Sequence, residues 1–216
     1  MPHYRHIIFD LDGTLIDSAP AILASFRSAF AAAGRAPVVA IDESIIGPPL
    51  AETLALLSGT SDAAVIADLS RRFAAVYDTT GYLETAAYPG VGDMLRRLAG
   101  QGLCLHIATN KRIHPTRKIL AHLGWDALFD NVYALDLFTP RLPDKAAMIG
   151  RLLADRAITS DRAVYVGDRE EDGLSAEANR LPFLAATWGY GSLPAEALRP
   201  GWTAVIAPDA LLAGEC

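Results

Sequence analysis

Six short apolar runs punctuate the sequence, and four of them stop at a carboxylate or a polar pair. His6-Ile7-Ile8-Phe9 stops at Asp10, and Cys104-Leu105-His106-Ile107-Ala108 stops at Thr109-Asn110. Val132-Tyr133-Ala134-Leu135 stops at Asp136, and Ala163-Val164-Tyr165-Val166 stops at Gly167-Asp168. Phe183 to Ala186 and Ala204 to Ile206 are two weaker runs. Each is strand length, and most are apolar on both faces, the pattern of a parallel strand covered on either side. Between the later runs the period changes. Val91, Met94, Leu95 and Leu98 share one helical face, Pro115 to Leu123 has a proline suited to a first turn, and Lys145 to Leu153 and Glu170 to Asn179 follow. Strand–helix alternation of this kind predicts an α/β fold built on a doubly wound parallel sheet. In such sheets ligands sit beyond the carboxyl ends of the strands, where these polar stops gather.

Residues 17–86 read differently. No strand is evident, Ser18 is placed to cap a helix running to Ala33, and Ser61 to cap another from Asp62 to Tyr77 with Val65, Leu69 and Phe73 aligned. The expected organisation is an α/β core from residues 1–16 and 87–216, with 17–86 as a helical insertion.

Composition narrows the class. At 216 residues and 51% hydrophobic, the chain can bury a sizeable core and is not a disordered polymer. Two cysteines far apart, Cys104 and Cys216, do not make a disulfide framework, and no apolar run reaches membrane-helix length. The opening Met1 to Arg5 leads to a strand-length run rather than a signal-peptide core, so a cytoplasmic protein is expected. A net charge of −6 argues against nucleic-acid or anionic-membrane partners. Lysines are scarce: Lys111, Lys118 and Lys145.

The candidate chemistry lies at the strand ends. Asp10 and Asp12, at i and i+2 of an extended segment, point to the same side, and Gly13 permits the turn that follows. Asp168 ends another buried strand, with Asp172 four residues on. Carboxylates converging at one edge repel unless a cation neutralises them, and an oxygen-only donor set favours Mg²⁺.

Asp10-Leu-Asp12-Gly-Thr-Leu, Ile107-Ala-Thr109-Asn110, Lys145, and Gly167-Asp168 with Asp172 together resemble the four motifs of the haloacid dehalogenase-like (HAD) superfamily of phosphohydrolases. Tyr88-Pro-Gly-Val91 and Trp188-Gly-Tyr-Gly-Ser192 are similar to its phosphoglycolate phosphatase-like branch, whose cap domain 17–86 resembles. The resemblance implies a Mg²⁺-dependent phosphatase acting on a small phosphorylated substrate. Asp10 is the implied nucleophile and Asp12 the acid and base. Asp10, Asp168, the Asp12 carbonyl and Asp172 would hold the metal, Asp172 through bound water. Thr109, the Asn110 backbone and Lys145 would hold the phosphoryl oxygens. The branch's usual Lys-Pro-x-Pro stretch is missing, so Arg141 and Lys111 are rival cations to Lys145. In the insertion, Gly47 could bring backbone amides near a leaving group, and Arg27 and Arg35 are candidates to anchor a substrate carboxylate, although solvated helix faces commonly carry arginine. A phosphonate-cleaving relative would need a cap lysine, and 17–86 has none; a dehalogenase would not need Asp12. A sugar-phosphate mutase, a pyrophosphatase, a nucleotidase, and a non-catalytic phosphate-binding module remain alternatives. Oligomeric state is not legible in the sequence.

Overall fold

A computed structural model describes residues 4–191, 193 and 198–212. The expectations that involve residues 1–3, Ser192 and Cys216 lie outside the described residues. The chain enters through β1 (His6–Phe9) and a short β2 (Ile16–Asp17), then passes into α1 (Ala19–Ala32), α2 (Leu50–Ser58) and α3 (Ala63–Tyr77). It returns through β3 (Ala86–Ala87) and alternates thereafter: α4 (Val91–Gly100), β4 (Cys104–Thr109), α5 (Ile113–His122), β5 (Asn131–Ala134), α6 (Lys145–Asp155), β6 (Ala163–Gly167), α7 (Glu170–Ala178), β7 (Phe183–Ala186) and β8 (Trp202–Val205).

Six strands form a parallel sheet in the order β5-β4-β1-β6-β7-β8. β1 lies between β4 and β6, pairing Phe9 with both Ile107 and Val166. Alternate residues feed opposite cores. Phe9, Ile107 and Val166 pack with Met94, Leu95 and Ile119 on one face, while Ile8, Tyr165 and Phe183 pack with Met148, Ile149 and Leu152 on the other. Covering both faces is what the doubly apolar strands require. Toward the far end of the sheet from the polar stops, Asn131 donates to His106 Nδ1 at 3.0 Å, leaving Nε2–H to face His6 Nδ1 at 3.0 Å. Burial pushes the His106 pKa down to about 4, so this mid-strand histidine stays neutral and structural.

The helices of the insertion have their own apolar cluster, in which Phe26 and Phe30 of α1 meet Leu54 and Leu57 of α2 and Leu69, Phe73 and Tyr77 of α3. β2 and β3 pair antiparallel where the insertion begins and ends. This ribbon and α2 were not anticipated: two-residue strands carry no period, and Pro48-Pro49 obscured the start of a nine-residue helix. Two capping expectations are corrected. The Ser18 hydroxyl caps nothing and turns toward Asp12, while Asp62, not Ser61, caps α3 by accepting from the amides of Ala64 and Val65. Among the described residues no single helix is long and apolar enough to cross a membrane; α2 and α3 pass that test only jointly, across a 114° bend.

Gly173 illustrates how tightly the last strand packs. A Cβ there would meet the Trp202 ring at 2.3–2.6 Å, and that ring is fixed by its indole N–H donating to Glu177 at 2.7 Å. Alanine should favour the helix by about 1 kcal/mol, but overpacking costs roughly 1–3 kcal/mol. Gly173→Ala is therefore expected to lower the urea midpoint of unfolding, and an unchanged or raised midpoint would contradict this packing.

Candidate active site

The ladder continues one residue past β1, with the Asp10 amide donating to the Val166 carbonyl at 2.9 Å. That register sets Asp10 beside the end of β6 and so beside Asp168. Carboxylate oxygens of Asp10, Asp168 and Asp172 all lie within 4.8 Å of one another, and all three residues are buried. At an effective dielectric near 20, each like-charged pair at that distance repels by about 3 kcal/mol. The structure contains several devices that hold the cluster together.

Lys145 is the main one. It opens α6, lies 3% exposed, donates to Asp172 at 2.5 Å and stands 3.2 Å from Asp10 Oδ1. Burial alone would lower its pKa, yet Asp10 and Asp172 outweigh burial and hold the ammonium well above its usual range. Asp172 Oδ2 also accepts from the amides of Asp168 and Arg169, so this carboxylate stitches the β6–α7 turn. Asp168 accepts from the Thr14 hydroxyl at 3.1 Å and the Gly191 amide at 2.8 Å. Glycines let the backbone come this close: a Cβ at Gly13 (φ +88°) would fall 2.2 Å from Asp168 Oδ2, and one at Gly191 2.3 Å from the same atom.

Asp12 is held separately. Lys111 donates to both of its oxygens, at 3.0 and 3.1 Å, and the Ser18 hydroxyl donates to Oδ1. Tyr190 stands 3.3 Å from the Ser18 hydroxyl, and Trp188 donates to the Thr14 carbonyl at 2.9 Å. Thr109 is buried at the end of β4, where its hydroxyl accepts from the Lys111 amide at 3.2 Å. The Asn110 side chain faces away from this cluster, donating to the Gly47 carbonyl at 3.1 Å and to Glu171 at 3.0 Å.

The structure thus gathers Asp10, Asp168, Asp172 and Lys145 into one cluster. Of the rival cations, Arg141 reaches only Glu52, at 3.7 Å, and Lys111 takes Asp12 instead. The Lys111–Asp12 and Ser18–Asp12 contacts were missed. A cation following Thr109-Asn110 is the one signal in the sequence, and there it stands only as a rival to Lys145 for phosphate. Gly47 does reach the core, but it presents a carbonyl rather than an amide. Arg27 donates to the Ile41 carbonyl, and Arg35 is exposed.

Burial, reinforced by the neighbouring carboxylates and opposed by Lys145, raises the Asp10 pKa to about 8. Burial and then Asp172 raise Asp168 to about 7. Asp10 Oδ1 is buried and makes no hydrogen bond, with the Lys145 ammonium 3.2 Å away as its ion-pair partner. Three buried carboxylates against one ammonium, an oxygen-only donor set, fit a small hard divalent cation such as Mg²⁺.

Comparisons with known proteins identify the chain's relatives. The family model for haloacid dehalogenase-like hydrolases matches residues 7–186. A phosphoglycolate phosphatase of Cereibacter sphaeroides is 36% identical over 197 residues, covering 89% of each chain. A 5'-nucleotidase of Pseudomonas aeruginosa is 31% identical over 190 residues, covering 88% of this chain and 85% of its own. The crystal structure of a predicted phosphatase from Clostridium acetobutylicum superposes with a TM-score of 0.85 at 29% identity, covering 96% of both chains.

The raised carboxyl pKa values set a pH dependence. Between the unfolded value of 3.8 and about 8, the folded chain holds protons that the unfolded chain has released, so stability falls as pH rises through that window. In a chelator, the melting temperature is expected to drop by a few degrees from pH 6.5 to pH 8, above the range in which His6 and His106 oppose the trend. Mg²⁺ should recover more at pH 8 than at pH 5, and Asp10→Asn should flatten the dependence. A wild-type and variant with the same pH slope would contradict the assignment.

Proposed function

For a chain that belongs to the haloacid dehalogenase-like hydrolase family, we propose a Mg²⁺-dependent phosphatase that cleaves a small phosphomonoester through an aspartyl-phosphate. The observation that carries this reading is the buried cluster of Asp10, Asp168 and Asp172 set against the single ammonium of Lys145. Asp10, Asp168 and the Asp12 carbonyl are the proposed ligands, with Asp172 acting through bound water while it also anchors Lys145. The metal would supply positive charge between an anionic ester and an anionic nucleophile.

Asp10 attacks phosphorus as a carboxylate, and the ester P–O bond breaks. Asp12 passes a proton to the departing alkoxide. It then takes a proton from the water that hydrolyses the aspartyl-phosphate, regenerating Asp10 and releasing phosphate. Lys111 and Ser18 hold the Asp12 carboxyl in place for both transfers, a geometry supported by their contacts to it. Lys145, Thr109 and the Asn110 backbone bind the phosphoryl oxygens as charge spreads over them. Residues 17–86 act as a cap over the site. Their packing as a separate cluster and the Asn110–Gly47 and Arg112–Asp78 contacts support that role. The similarity to phosphoglycolate phosphatases supports a phosphoglycolate phosphatase-like activity.

The test is Mg²⁺-dependent phosphate release from an aryl phosphate and a set of small alkyl phosphates. Asp10→Asn should lower kcat by at least about 10³-fold, the scale of losing the nucleophile. Lys111→Met should lower kcat by about tenfold or more while leaving the Mg²⁺-induced rise in melting temperature intact. No phosphate release from the wild type, or release unchanged in Asp10→Asn, would refute the proposal.

A further inference from the structure

Trp188-Gly189-Tyr190-Gly191 lies just past β7 and takes no part in the steps above. Yet each of its residues meets the chain around the site. The Trp188 indole donates to the Thr14 carbonyl at 2.9 Å, and the Gly191 amide donates to Asp168 Oδ2 at 2.8 Å. A side chain at Gly189 would collide with the Gly13 carbonyl, so the segment lies flat against the turn that follows Asp12.

Tyr190 brings a polar side chain to the acid and base. Its hydroxyl stands 3.3 Å from Ser18 Oγ, and Ser18 Oγ donates to Asp12 Oδ1. A serine hydroxyl has one proton. While Ser18 gives that proton to Asp12, its oxygen accepts from Tyr190, and the donors run in order from Tyr190 to Ser18 to Asp12. Each bond in such a chain polarises the next. Ser18 also forgoes its ordinary partner. A serine just before a helix usually turns its oxygen to the first-turn amides, but Ser18 makes no such bond to α1. The phenol takes the place of those amides. The Tyr190 ring packs against the apolar cluster of the insertion, which holds the hydroxyl where Ser18 meets it.

We propose that Tyr190 is a positioning residue for proton transfer: acting through Ser18, its phenol holds the Asp12 carboxyl in place to pass a proton to the departing alkoxide and to take one from water. This inference rests on the phosphomonoesterase reading and adds a residue to it.

The leaving group separates this role from a structural one. The value of kcat/KM covers the steps through departure of the alcohol. An alkoxide needs the Asp12 proton to leave, whereas 4-nitrophenolate leaves without one. In the Mg²⁺-loaded full chain, Tyr190→Phe keeps the ring and removes only the hydroxyl. It is expected to lower kcat/KM for small alkyl phosphates, 2-phosphoglycolate among them, by about three- to tenfold, the range for one lost hydrogen bond. The value for 4-nitrophenyl phosphate should not change. In a Ser18→Ala background the same substitution should cost nothing further, because the route to Asp12 is already cut. An equal loss on both kinds of ester, no loss on either, or the same loss with Ser18→Ala as without it would overturn the proposal. Turnover of the aryl ester alone by the wild type would do so too, since Asp12 would then be supplying no proton. If the wild type releases phosphate from neither kind of ester, the phosphatase reading itself fails and the positioning role goes with it.

Discussion

Mutual repulsion among buried carboxylates is the constraint around which this fold is arranged. A parallel sheet with β1 between β4 and β6 brings Asp10 and Asp168 to one edge with no freedom to separate. Lys145 at the start of α6 is poorly placed for helix electrostatics, because the positive end of the helix dipole disfavours an ammonium there. It is well placed for Asp10 and Asp172, and that attraction decides its position. The glycines at 13 and 191 follow from the same constraint, since side chains at either place would fill the space Asp168 takes. Backbone amides from residues 168, 169 and 191 supply donors that no side chain could deliver at such close quarters.

A second layer of charge matching joins the core to the insertion. Arg112 on Asp78, the Lys118 ammonium on the Asp78 carbonyl at 2.6 Å, and Asn110 on the Gly47 carbonyl all cross that boundary. They fasten the insertion to the core beside the cavity that Asp12 lines.

Much of this was legible in the sequence because the core obeys local rules. Strands apolar on both faces, helices with a single apolar stripe, and acids at strand ends all report their positions through period and punctuation. The acidic cluster was legible for the same reason, since the position of Asp10 and of Asp168 follows from the strand each ends. What escaped depends on long-range partners. Ser18 is the nearer case: Asp12 lies only six residues back, but no helix or turn spacing signals that it takes the hydroxyl. Lys111 looks like a phosphate ligand until Asp12 and the Tyr77 ring are brought to it from sequence-distant elements. The cavity beside Asp12 combines α1, α2, α3 and two core loops, and no periodicity in any one of them reports a shared wall.

The two-stranded ribbon has a consequence for how the molecule can change. Ile16 pairs with Ala87 and Asp17 with Ala86, so the chain leaves the core and re-enters it at neighbouring points. Everything between them is attached by a single narrow neck, and altering its length adds only a logarithmic loop-closure penalty. Residues 18–85 can thus be lengthened, shortened or exchanged with little disturbance to the sheet behind them. The buried carboxylate cluster and the insertion that faces it are free to diversify independently.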